Sequence, residues 1–253
     1  MMAIRPAIMV AALAVLTGCG PIEPGLDRFE QTGKLIALSG GDAGPRGACI
    51  SCHGLRGEGD GNRAPRLAGL DQGYFVRELD SFARGQRRHA QMAWIARRLD
   101  WPARQKLASY YANLPIPTGA GSAPNPGDCA AQALYELGDP TRGIASCASC
   151  HGDDGAGAGA GNPALAAQPA PYLRAQLDAW ATGKRYGNLT MLQLSQLLTE
   201  EERARLAGYS SALPGASLYP APPVTCPRER HRDPRNGASA PRTYAEAPKE
   251  PAR

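Results

Sequence analysis

Apolar residues along this chain recur at helical spacing rather than in alternation. Leu107, Tyr110, Tyr111 and Leu114 share one face of a predicted helix that opens near Leu99-Asp100. A counterpart opens at Thr199, whose spacing to Glu202 fits a capping box. Amphipathic stretches run from Tyr74 to Phe82 and from Tyr172 to Trp180, and a third pair covers Phe29 to Leu38 and Ala130 to Leu137. No segment sustains the apolar and polar alternation of a half-buried strand, so the predicted fold is all-α.

These elements come in pairs because the chain repeats itself. Cys49-Ile50-Ser51-Cys52-His53-Gly54 returns as Cys147-Ala148-Ser149-Cys150-His151-Gly152, an offset of 98, and Pro65 with Pro163 and Tyr74 with Tyr172 keep that offset. One inserted residue then makes it 99, pairing Met92 with Met191, Leu107 with Leu206 and Tyr110 with Tyr209. The expected organisation is one domain over 26–114, a Pro- and Gly-rich linker over 115–127, and a second domain over 128–226. Residues 227–253 are polar, hold five prolines and read as a disordered tail. With 30 Gly, 23 Pro and only 6% aromatics in 253 residues, the side chains alone build two thin cores, so something else must fill them.

Charge separates the halves. Residues 19–118 hold 14 Lys and Arg against 10 Asp and Glu, whereas residues 119–226 hold 6 against 9. At the start, Arg5 precedes an apolar run from Ala7 to Leu16 that is too short for a membrane span, so 1–18 reads as a signal peptide and 19–25 as a tether. Leu16-Thr17-Gly18-Cys19 resembles a bacterial lipobox, which implies cleavage before Cys19 and lipid on its sulfur; the alternative is an ordinary signal peptide with an incidental cysteine. Either reading places the mature chain outside the cytoplasm, and the first places it in the periplasm on a lipid anchor.

Two cysteines separated by two residues and followed by His form the attachment signature of c-type haem. The thiols Cys49 and Cys52, and again Cys147 and Cys150, suit addition to the two vinyl groups on one porphyrin edge, and His53 and His151 then suit the iron. A zinc or redox Cys pair is the alternative, but zinc needs two further ligands per site and the chain has only four His.

The halves resemble class I cytochrome c domains, and the tandem resembles the dihaem cytochrome c4 family, over about Leu26 to Leu213. That resemblance implies two covalent haems. It implies that Pro65 and Pro163, each twelve residues after a haem histidine, offer a carbonyl to the imidazole. It also implies axial thioethers from Met92 and Met191, which lie 39 and 40 residues beyond the histidines and are the methionines left once Met1, Met2 and Met9 depart with the signal. A lone methionine more often fills a core. His/Met ligation raises the reduction potential and leaves no vacancy for a substrate, which favours electron transfer over catalysis. His89 is the competing ligand for the first iron, against a reading as a solvated loop residue.

Cys129 and Cys226 bracket the second half. In an oxidising compartment a disulfide between them is expected, contributing ~4 kcal/mol on a loop-entropy estimate, with two free thiols as the alternative. Arg84, Arg87, Arg88, Arg97, Arg98, Arg104 and Lys106 cluster around Met92 in sequence, as a cationic rim for an acidic partner, as propionate partners, or as a solvated helix face. By resemblance the donor is a quinol-oxidising complex and the acceptor a terminal oxidase in a bacterial respiratory chain. Two rivals stay open: a dihaem enzyme of peroxidase or thiosulfate dehydrogenase type, and a cytochrome subunit of a larger dehydrogenase complex.

Overall fold

The computed structural model describes residues 31–116, 128–215 and 226. The expected signal peptide 1–18, Cys19, the tether 19–25, most of the linker and the tail 227–253 lie outside the described residues. Among those described, ten α-helices form two matching runs of five. The first is α1 (Gly33–Ser39), α2 (Ile50–His53), α3 (Gln72–Ala83), α4 (Ala90–Ala96) and α5 (Trp101–Ala112). The second is α6 (Cys129–Leu137), α7 (Ala148–His151), α8 (Ala170–Ala181), α9 (Leu189–Leu197) and α10 (Glu200–Ser211). The β-type pairings among the described residues are isolated bridges. No helix there is long and apolar enough to cross a membrane.

Polar side chains decide where the helices start. Asp71 accepts the Tyr74 amide at 2.8 Å, Asp100 that of Ala103 at 2.8 Å, and Asp128 that of Ala131 at 3.0 Å, each satisfying an N–H that has no partner within the helix. Thr199 and Glu202 form the full capping box of α10. The first helix begins later than the apolar pattern from Phe29 suggests, because Thr32 caps it through the Leu35 amide. Helices α4 and α9, of 7 and 9 residues, are not singled out by the apolar pattern.

In each half the first and third helices pack on the last, and the fourth packs on the third. Gly33 sits where α1 meets α5, and a Cβ there would collide with the Lys106 carbonyl. The equivalent residue of the second half is the small, buried Ala131. Ile36, Leu79, Leu107 and Tyr111 build the first core, and Tyr135, Ile144, Leu198 and Leu206 the second. An arginine clamps each methionine-bearing helix to its neighbours. Arg104 pairs with Asp80 on α3 and donates to the Ala96 carbonyl at the end of α4. Arg203 pairs with Asp178 on α8 at 2.7 Å and donates to the Leu198 carbonyl just beyond α9.

The two halves meet across an approximate twofold axis. Arg87 and Arg185, equivalent residues, form an antiparallel bridge, with the Arg88 amide on the Lys184 carbonyl and the Tyr186 amide on the Gln86 carbonyl. Such self-matching contact is the signature of an isologous interface. Gln168 completes the seam by accepting the Arg66 amide and donating to the Arg66 carbonyl, both at 3.0 Å.

Removing the α10 cap tests how the second half is held. Thr199→Ala should cost ~1 kcal/mol in urea unfolding. Hydrogen bonds from Arg142 are the chief reason that the Glu202 carboxyl drops from 4.5 to about 2. Because its folded value lies below the unfolded one, its stabilisation is present above about 4.5 and is lost as pH falls towards about 2. Solvent exposure makes that loss modest, and Glu202→Gln should flatten it.

Candidate haem centres

Both sites are built by the same short helix and returning loop. Cys49 immediately precedes α2, Cys52 lies within it and His53 ends it; Cys147, Cys150 and His151 stand in the same way on α7. The chain then turns back. The Gly59 amide donates to the His53 carbonyl and the Gly157 amide to that of His151, both at 2.8 Å. Gly59 and Gly157 have φ near +82°, and a Cβ at Gly59 would press on the Ala64 carbonyl and on the Pro65–Arg66 backbone. Glycine therefore lets the loop come close enough to deliver its proline.

The consequence is a hydrogen bond between His53 Nδ1 and the Pro65 carbonyl at 2.9 Å, matched by His151 Nδ1 and the Pro163 carbonyl at 2.8 Å. A carbonyl oxygen can only accept, so Nδ1 carries the proton and Nε2 keeps a lone pair for a metal. Burial lowers both imidazole pKa values, against the opposing effect of the proline carbonyls, so the rings are neutral at pH 7. Burial likewise raises the thiols of Cys49 and Cys147 to about 11. Cys129 and Cys226 are joined by a disulfide with Cα atoms 5.4 Å apart, and Cys49, Cys52, Cys147 and Cys150 take no part in a disulfide.

Met92 and Met191 are half-buried in the first turns of α4 and α9. Patterning missed what positions them. His89 caps α4 through Nδ1, which accepts the Met92 amide at 3.2 Å, and Asn188 caps α9 by accepting the Met191 amide at 3.0 Å. His89 thus does the work of an asparagine, and the shared offset of 99 between these positions was the available signal. The arginines grouped by sequence also separate. Arg87 is buried between the halves and Arg104 is clamped to Asp80, while Arg88, Arg97 and Arg98 stay exposed, Arg98 lying 4.1 Å from the Trp94 ring centre.

These residues fit a c-type haem on grounds beyond the motif. Arg66 is fully buried, forms no ion pair with an acid among the described residues, and leaves Nε without a partner. The hydroxyl of Tyr111 is also buried without a hydrogen-bond acceptor in place. Buried cations without counter-ions are costly, and a bound group bearing carboxylates answers that need. Cys49, Cys52 and His53 would hold one such group, and Cys147, Cys150 and His151 the other.

Comparison with known proteins agrees. The cytochrome c family model matches residues 132–209. A thiosulfate dehydrogenase electron acceptor of Thiomonas intermedia is 37% identical over 66% of this chain and 79% of its own length. Cytochrome c4 of Thiocapsa roseopersicina is 33% identical over 68% of this chain and 91% of its own. A thiosulfate dehydrogenase structure from Marichromatium purpuratum superposes with a TM-score of 0.63 at 39% identity, covering 74% of this chain and 41% of that one, so this chain spans less than half of that protein. The fold is that of class I cytochrome c domains in tandem. The chain belongs to the dihaem cytochrome c4 family, with two covalently bound c-type haems and a role in electron transfer.

Replacing both cysteines of one site gives a direct count. The Cys147→Ser, Cys150→Ser double variant should carry one covalent haem per chain where the native chain carries two, measured as pyridine haemochrome against protein mass.

Proposed function

We propose that this protein is a one-electron carrier of a bacterial respiratory chain, each iron being ligated by histidine and methionine, His53 with Met92 and His151 with Met191. The observation that supports this most is the matched placement of the two methionines, each in the first turn of a short helix whose cap holds its amide. When bound, haem supplies one-electron exchange between Fe(III) and Fe(II), and a thioether opposite imidazole favours the reduced state more than a second imidazole would. The chain's own part is orientation. The Pro65 and Pro163 carbonyls hold the imidazoles, the Arg104 and Arg203 clamps hold α4 and α9, and His89 is occupied as a cap through Nδ1. Were histidine and methionine both to hold each iron, no place would be left for a substrate, which favours a carrier over an enzyme of peroxidase type.

The carrier works in the periplasm, anchored by lipid on Cys19. A quinol-oxidising complex as donor and a terminal oxidase as acceptor follow from the family resemblance. A second donor is favoured by the names of two relatives, both thiosulfate dehydrogenase electron acceptors. In that reading a separate thiosulfate-oxidising enzyme delivers electrons to this chain.

Oxidised protein should show the methionine–iron charge-transfer band for two haems, and an oxidised spectrum without it overturns the ligand assignment. Met92→His should abolish half of that band and lower one midpoint potential, whereas His89→Asn should preserve both, because asparagine caps equally well. Cys19→Ser should move the chain from the membrane to the soluble periplasmic fraction.

A further inference from the structure

The interface between the halves is symmetrical in shape but not in charge. Arg87 and Arg185 are buried there at 8% and 7% of full exposure. Each reaches the tyrosine of the other half, Arg87 to the Tyr172 hydroxyl at 2.7 Å and Arg185 to the Tyr74 hydroxyl at 3.2 Å. The next pair of equivalent residues breaks the match, because Glu78 is answered 98 residues later by Gln176. Glu78 Oε2 accepts from Arg87 at 2.8 Å and from Arg185 at 2.9 Å. Gln176 Oε1 accepts from the same two guanidinium groups at 2.7 and 3.2 Å. Two buried cations therefore share one anion, and a neutral amide takes the place of the second.

This cluster touches the segments that carry the ligands of both irons. Arg87 lies two residues before His89 and Arg185 three before Asn188, the caps of the methionine helices. On the other side, Arg66 follows Pro65 directly and is tied to Gln168 across the seam. A fixed charge here acts on both halves, and Glu78 lies within 0.1 Å of equal distance from the two guanidinium groups, 2.8 against 2.9 Å.

We infer that Glu78 is a shared counter-ion that lowers the midpoint potentials of both haems together, and that its charge would serve equally well from position 176. The inference rests on the two-haem carrier reading above. An oxidised centre carries one more positive charge than a reduced one, so a nearby carboxylate favours oxidation. Burial pushes the Glu78 carboxyl up, but Arg185 and Arg87 outweigh it and hold the group below its ordinary value, hence ionised at neutral pH. Over a small domain's radius of ~13 Å, and at an effective dielectric constant of ~20, one unit charge changes a one-electron equilibrium roughly tenfold.

The test is a spectroelectrochemical titration of the haem-loaded full chain at constant pH and ionic strength. Glu78→Gln should raise both midpoint potentials about tenfold in equilibrium constant, which is about 59 mV for one electron. Gln176→Glu should lower both by a similar factor. It adds an acid beside two cations without removing an ion pair, so it decides the matter even if Glu78→Gln fails to fold. The double exchange, Glu78→Gln with Gln176→Glu, should return both potentials to native values. Potentials that move less than threefold in the single variants, a shift confined to one haem, or a double variant that does not return would each overturn the inference. If the native protein lacks two one-electron waves and the methionine–iron band, the carrier reading fails with it. If it shows them and they do not move, only the shared counter-ion is lost.

Discussion

The structure depends on one hydrogen bond made twice, from an imidazole Nδ1–H to a proline carbonyl. It selects the tautomer, aims the Nε2 lone pair and ties the end of a four-residue helix to the loop that returns over it. So short a helix does not stand alone in water. It is held because the loop bonds recur one for one, from the Gly59 and Gly157 amides to those of Leu67 and Leu165.

The clamps at Arg104 and Arg203 extend the same logic to the methionine helices. Each guanidinium joins a carboxylate on the long third helix of its half to the end of the short fourth one, in a partly buried setting where an ion pair with added hydrogen bonds holds geometry well. The capping residues do the same at the other end. Histidine in one half and asparagine in the other show that the position asks for an acceptor near the backbone, not for a particular side chain.

Duplication also explains the seam. Two copies of one surface, apposed by a twofold axis, bring Arg87 against Arg185, and like charges at that spacing need an anion between them. Glu78 supplies it from one side only. In this otherwise matched contact, one residue bonds to arginines of both halves.

Much of this was legible in the residues themselves. The repeat offset, the two Cys-Cys-His signatures, the proline twelve residues on and the capping box at Thr199 are local patterns, and local patterns survive in sequence because each is satisfied within a few turns of chain. They determined an all-α chain with two haem-binding halves. Tertiary structure alone decided the fate of the arginines near Met92, which look alike in sequence and end as an interface cation, an internal clamp and exposed side chains. It also decided that Glu78 serves two arginines from different halves. Arg104 meets Asp80, 24 residues away, and Glu78 meets Arg185, 107 residues away, and no local pattern encodes a partner at that distance.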